Sequence, residues 1–342
     1  MPKSSKVVSS ESQNLNQAPE GKSNRGCWIL AGIGCAVFVL VVGGIVGLIA
    51  VVAALGSDLE TSVDEKVIEE GSGGKIVVID VQGVIVEESS GDIFSAGGAS
   101  SAEIIDQIDR AESDSQVKGI IIKMNTPGGE VVASDLIYRE LLDFRKKKKV
   151  VTWMSGMGAS GGYLIAAGSD KIVAHPSTIT GSIGTVLQVS NLDELYEKIG
   201  IEYRTFKSGE FKDDSGIFDE DPNGEADVIY QDIVDEAYNS FVDSIVEGRG
   251  MDRSQVETLA DGRVYTGQQA KENGLVDDVG DFTDSVEVME ELVGKKNLTI
   301  VEYTSGGFWA SLYDYQSSVL DRLNVLPEQN SYGLGIYYLL DM

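Results

Sequence analysis

Apolar and polar positions change their rhythm twice along this chain. No charged residue occurs from Trp28 to Leu55. As a helix rising about 1.5 Å per residue, that run outlasts the ~30 Å of bilayer hydrocarbon and predicts a transmembrane helix over 28–55. A cleaved leader is the rival reading, but its apolar core is about 7–15 residues long and follows a shorter polar lead than 1–27. Further on, short apolar runs at Lys75–Val81, Gly119–Met124, Val150–Met154, Lys171–Ala174 and Glu202–Phe206 predict strands. Helical spacing predicts helices over 101–112, 131–147, 160–168 and 191–199, then over 225–248, 253–260, 266–273 and 281–294. Strand–helix alternation implies an α/β fold whose largely parallel sheet is covered on both faces.

The flanks of the apolar run orient it. Lys3, Lys6, Lys22 and Arg25 precede it, whereas Asp58, Glu60, Asp64 and Glu65 follow. The excess of basic residues places the N-terminal tail, 1–27, in the cytoplasm and the bulk of the chain outside. Residues 56–74, acidic and rich in Gly and Ser, predict a linker.

Composition then narrows the chemistry. The chain carries 55 acidic against 27 basic residues, a net charge of -28, which repels polyanions and excludes nucleic acid as a partner. Its two cysteines, Cys27 and Cys35, lie near or in the apolar run, so no Cys/His zinc site and no disulfide framework is expected beyond it. His175 is the single histidine. A Ser-His or Cys-His mechanism must use that residue.

Three glycine-rich turns follow strands: Asn125-Thr-Pro-Gly-Gly-Glu130, Ser155-Gly-Met-Gly-Ala-Ser-Gly-Gly162 and Thr180-Gly-Ser-Ile-Gly-Thr185. Tight turns that need positive φ explain glycine in each. A nucleotide cradle fits poorly, because the Gly-Lys-Ser/Thr ending of a P-loop is missing. A nucleophile elbow fits the second turn: Ser160 would open a helix straight after a strand, with the Gly161 N–H facing an oxyanion and the Gly128-Gly129 turn offering a second donor. Such a serine needs a base. His175, next to Pro176, has no nearby acid to orient it, and the alternative is a lysine held neutral, for which Lys171, Lys207 and Lys212 are candidates.

Four ordered motifs, Gly158-Ala-Ser-Gly-Gly-Tyr163, Thr180-Gly-Ser-Ile-Gly184, Lys207-Ser-Gly-Glu-Phe-Lys212 and Gly262-Arg-Val-Tyr-Thr-Gly267, together resemble the signal peptide peptidase A (SppA) family of membrane-anchored serine proteases. Ala270-Lys-Glu-Asn-Gly-Leu-Val-Asp277 is similar to that family as well. The resemblance implies a ClpP/crotonase-like fold, a repeated ββα superhelix, preceded here by the one transmembrane helix. It implies a protease domain over 75–304 and leaves 305–342 as a C-terminal tail without a role. It also implies a Ser-Lys dyad: Ser160 as nucleophile, Lys212 as general base, Ser182 orienting that lysine, and Gly161 and Gly129 as backbone oxyanion donors. An extended substrate would pair with Gly128, Gly129, Glu130, Val131 and Val132.

The implied activity is a serine endopeptidase that needs no cofactor or metal. Its substrates would be remnant signal peptides and other unfolded polypeptides, met outside the cytoplasm by a ring-like homo-oligomer, octamer-like for one catalytic domain per chain. Two rival classes remain open at this point: a crotonase-like acyl-CoA enzyme and a non-catalytic membrane scaffold. Asp213 and Asp214 directly follow Lys212 and favour its charged form, so the dyad requires them to point away and the amine to be buried. Lys146–Lys149 closes a predicted helix, where positive charge suits the dipole's negative end.

Overall fold

The computed structural model describes residues 64–87, 98–202, 204–209, 211–212, 225–304 and 337–339. The expected tail 1–27, the transmembrane helix 28–55, and Asp213 and Asp214 after Lys212 lie outside the described residues. Among the described residues no helix is long and apolar enough to cross a membrane.

In chain order the elements are β1 (Asp64–Glu69), β2 (Lys75–Gln82), β3 (Ile85–Val86), β4 (Ala99–Ser100), α1 (Ser101–Ser113), β5 (Val117–Thr126) and β6 (Gly128–Glu130). Next come α2 (Val131–Arg145), β7 (Lys149–Ala159), α3 (Gly161–Ala167), β8 (Lys171–Ala174), β9 (Ile179–Gly181) and α4 (Asp193–Ile199). They are followed by α5 (Glu225–Arg249), α6 (Arg253–Leu259), β10 (Val264–Thr266), α7 (Gly267–Glu272), β11 (Asp278–Val279), α8 (Phe282–Val293), β12 (Thr299–Thr304) and β13 (Tyr337–Leu339).

The main sheet runs β1-β12-β2-β5-β7-β8-β11, with β9 beside the end of β7 and β10 beside β9. From β12 to β11 every neighbouring pair is parallel. Because the strands are buried on both sides, their sequences read as unbroken apolar runs and the period of two shows only in which layer each residue joins. Val77, Ile79, Ile120, Ile122 and Met154 pack into the large core with α1, α2, α3 and α5. Their sequence neighbours Ile76, Val78, Ile121 and Val151 pack on the other face against Met289 of α8. There Trp153 meets Phe282 edge-to-face, ring centroids 5.5 Å apart. Each such side chain contributes about 1.5–3 kcal/mol on burial. A small second sheet, β13-β6-β3-β4, stands at the carboxyl ends of β2 and β5. That is where open parallel sheets carry their sites.

Three expectations change. Asp64–Glu69, read as linker, is an edge strand antiparallel to β12; its charged sequence suits an edge that must not recruit another strand. Glu202–Phe206 forms no strand among its described residues, and Phe206, 90% exposed, has no core face to meet. Tyr337–Leu339, in the tail left without a role, is a strand of the small sheet.

Away from the site, Asp277 ties β8 to the end of α5. It accepts from Ile172 N at 2.9 Å, from Lys171 Nζ at 3.0 Å and from the largely buried Arg249 guanidinium at 2.9 Å. Burial pushes its carboxyl up, but the Arg249 charge and these donors outweigh burial and hold it below the usual carboxylate range. Its contribution is therefore full above the ordinary carboxylate pKa of about 4 and is lost as pH falls through the lower folded value. Asp277→Asn is expected to cost about 3 kcal/mol, because it strands a buried guanidinium. Thermal melts from pH 7 down to 3 check this: the variant melts lower at pH 7 and loses the acid-side slope, and equal melting curves would remove the pair from the account.

The lysine run is likewise committed to the fold. Lys146 pairs with Asp143, Lys147 with Glu112 and Lys149 with Asp170, while Lys148 Nζ donates to Ala111 O and Asp114 O at the end of α1.

Candidate active site

Ser160 sits at the junction of β7 and α3. Its backbone has φ 53° and ψ -118°, a conformation L-residues rarely adopt and one that costs of order 1–3 kcal/mol. Two backbone hydrogen bonds clamp it: Ser160 N donates to Gly181 O at 2.8 Å, and Leu164 N donates to Ser160 O at 3.0 Å, opening the helix. The residue is 1% exposed. Its Oγ does not cap the helix and has no hydrogen-bond partner among the described residues. A buried hydroxyl left unpaired in a strained turn is costly twice over, and both costs fall on the one serine that the sequence singles out.

The surrounding motifs meet here through strand register. Ala159 of β7 stands opposite Gly181 of β9, so the next step on each strand brings Ser160 level with Ser182. Ser182 has φ 49° and is nearly buried, and its N–H donates to Arg263 O at 2.8 Å. The motif at 262–267 supplies β10, which pairs Val264 with Gly181 and Tyr265 with Thr180. At Gly181, φ 81°, a Cβ would lie 2.6 Å from the Tyr265 ring. That motif thus holds the Ser182 turn in place and brings no chemistry of its own. Thr180 Oγ1 donates to Gly158 O at 2.7 Å, locking the same turn to β7. Below Ser160, the motif's Tyr163 is fully buried and donates to Leu275 O at 2.8 Å; burial raises its phenol above the ordinary value.

On the opposite side stands the Gly128-Gly129 turn. Gly128, φ 105°, donates its N–H to Thr126 Oγ1 at 3.1 Å, and Thr126 Oγ1 donates to Gly83 O at 2.6 Å. Gly129 lies so close to β3 that a Cβ would stand 2.0 Å from Ile85 O. Glu130, whose Oε2 accepts from Glu87 N at 2.9 Å, ends the strand. Val131 and Val132 open helix α2, whereas 128–130 is strand. Thr126 and Thr180 brace the two turns; the sequence places both in glycine-rich motifs, but nothing in it gives either threonine a role of its own.

The structure brings Ser160, Gly161, Ser182 and the Gly128-Gly129 turn to one place at the carboxyl ends of the sheet. It does not bring Lys212 there. That lysine is exposed, and no hydrogen bond joins it to Ser160 Oγ. Of the rival bases, Lys171 is paired with Asp277, and His175 is exposed with its Nδ1 accepting from Ser177 N at 3.2 Å.

Known proteins share this arrangement of sequence. Residues 78–180 match the Clp protease family and residues 143–296 match peptidase family S49. A protein of Enterococcus faecium assigned as a signal peptide peptidase SppA is 35% identical over 299 residues, covering 82% of this chain and 85% of its own length. The chain belongs to the signal peptide peptidase A family. Protease 4 of Haemophilus influenzae is 35% identical over 67% of this chain, and the chloroplastic serine protease SPPA of Arabidopsis thaliana 33% identical over 68%. This chain spans only about a third of those two longer relatives, 36% and 35% of their lengths. The peptidase is a serine peptidase of the signal peptide peptidase type, built on a mixed α/β, ClpP-like fold with a parallel sheet.

Proposed function

We propose that this peptidase cleaves apolar, unfolded peptides, remnant signal peptides above all, with Ser160 as nucleophile and Lys212 as general base. The observation that carries the reading is Ser160 itself, buried, strained and unpartnered at a strand-to-helix elbow. Ser160 Oγ attacks the scissile carbonyl while the neutral amine of Lys212 takes its proton. The tetrahedral oxyanion is held by the Gly161 and Gly129 N–H groups. The leaving amine receives the proton, and Lys212 then activates the water that frees the acyl-enzyme. Ser182, level with Ser160, orients the lysine.

Closing Lys212 on Ser160 requires the exposed segment around it to be covered. Val186, Val189, Leu195, Ile199, Phe206 and Phe211 are all exposed there. So much exposed apolar surface supports a covered interface, and the family resemblance supports a ring-like, octamer-sized homo-oligomer as what covers it. The uncharged run 28–55, basic before and acidic after, supports a single-pass anchor with the catalytic domain outside the cytoplasm.

A serine-directed acylating probe tests the nucleophile. The expected result is a single adduct by intact mass, mapped to Ser160 and absent from Ser160→Ala. An adduct elsewhere, or continued peptide cleavage by Ser160→Ala, would sink the assignment.

A further inference from the structure

Thr126, the last residue of β5, is fully buried between the glycine turn and the helix that Ser160 opens. The sequence prepares its place. A residue before proline is held extended, and Pro127 has no N–H, so the first donor of the turn belongs to Gly128. That N–H donates to Thr126 Oγ1 at 3.1 Å. The same hydroxyl donates to Gly83 O at 2.6 Å, just past the end of β2, its other acceptor, Gly128 O, being at 3.4 Å. With the Gly128 N–H so engaged, the mechanism takes its oxyanion donor from the next residue, Gly129. The other end of the side chain faces α3. Thr126 stands opposite Gly158, two residues before Ser160. A Cβ at Gly162, the residue after the donor Gly161, would lie 2.6 Å from Thr126 Cγ2. The methyl group therefore fills the space that a side chain at 162 would need.

We propose that Thr126 is a positioning residue for the peptidase reaction: its hydroxyl holds the Gly128-Gly129 turn and its methyl holds α3, so one side chain sets the separation of the two oxyanion donors. This rests on the serine peptidase reading above. An oxyanion hole works by preorganisation, its donors standing about 2.7–3.1 Å from where the charge develops before the reaction begins. A misplacement of about 1 Å costs on the order of 10²-fold in rate. Serine at this position keeps both hydrogen bonds but leaves a gap against Gly162. Valine fills the gap but leaves the Gly128 N–H and Gly83 O without their partner. Only threonine does both.

Steady-state cleavage of an apolar peptide by full-length variants tests this, with melting temperature followed alongside. Thr126→Val is expected to lower kcat by about 30-fold with KM within about twofold of wild type, and Thr126→Ser to lose no more than about threefold. Gly162→Ala gains a better helix former but drives its Cβ against Thr126 Cγ2, and is expected to lose about 10²-fold. The decisive form combines Thr126→Ser with Gly162→Ala. With Cγ2 gone, the atoms nearest the new Cβ are Met124 Sδ at 3.4 Å and the carbonyl oxygen of residue 126 at 3.5 Å, both ordinary contacts. Its kcat should return to within about threefold of wild type, far from the product of the two single effects. A peptide aldehyde supplies a readout that a merely structural role would not move. It adds to Ser160 Oγ and sets an oxygen in the oxyanion position, so its inhibition constant should rise in Thr126→Val by the factor by which kcat/KM falls. An unchanged kcat in Thr126→Val, or a fall without loss of aldehyde affinity, overturns the inference and leaves the peptidase reading standing. So does a double variant as slow as Gly162→Ala, which decides alone if Thr126→Val does not fold. Wild type that cleaves no peptide and takes up no aldehyde overturns the peptidase reading and this inference with it.

Discussion

Ser160→Ala is expected to lower kcat/KM for an apolar peptide to background, by about 10⁴-fold or more, and Ser160→Gly to be as inactive yet fold more stably. The loss follows from chemistry: neither variant has an oxygen to form the acyl bond. The gain follows from backbone geometry. At φ 53° and ψ -118° a Cβ is crowded, whereas glycine adopts positive φ freely. The clamp from Gly181 O and the first helical bond from Leu164 hold the backbone there whatever the side chain. Glycine also removes a buried hydroxyl without a partner. Together these are worth about 1–3 kcal/mol, or a rise in melting temperature of roughly 2–10 °C for a domain of this size. Ala, which keeps the Cβ, should recover only the hydroxyl's share. Calorimetry beside the peptidase assay decides it: a glycine variant that melts no higher than alanine would show that Ser160 stores no backbone strain.

How far the sequence predicted this molecule depends on what each segment is buried against. The inner strands were legible because both faces are covered: Lys75–Gln82 and Lys171–Ala174 lie where apolar runs placed them. The helices that cover them were legible from spacing, as at Ser101–Ser113 and Phe282–Val293, within one or two residues at their ends. Edge strands were not. Asp64–Glu69 is too charged to look like a strand, and what makes it one is β12, more than two hundred residues away. In the converse case, Glu202–Phe206 has strand-like residues and forms no strand among its described residues. The small sheet was invisible for a third reason: its members are two or three residues long and include the glycines of a turn, so no periodicity can develop.

The site divides along similar lines. Ser160 was legible as an elbow because strand, small residues and helix follow one another within a few positions. Ser182 could be named only by resemblance, since its place beside Ser160 depends on β9 pairing with β7 and on β10 holding β9 from 80 residues further along. In the last motif, Leu275 O accepts from the Tyr163 hydroxyl and Asp277 from the Arg249 guanidinium, so both residues serve the fold. Such residues are fixed in type by what they hold in place, and in a sequence they look the same as residues that react.

Lys212→Met is expected to reduce kcat by about 10³-fold and to abolish the rise of rate with pH that the wild type shows. An amine accepts a proton only when neutral, so a lysine-dependent step speeds up as the amine is deprotonated. Methionine cannot titrate, and arginine cannot be neutral in a protein, so Lys212→Arg should fail equally even though it keeps the charge. Burial is what makes a lysine available as a base, and Lys212 is exposed in the single chain, flanked by the exposed Phe206 and Phe211. If assembly supplies the cover, activity per chain rises with protein concentration, and Phe211→Asp weakens assembly and rate together. The measurements are kcat against pH at saturating peptide and sedimentation at matched concentrations. A pH profile left unchanged by Lys212→Met would move the base elsewhere. The candidates would then be Lys207, in the same motif, Lys171 and His175.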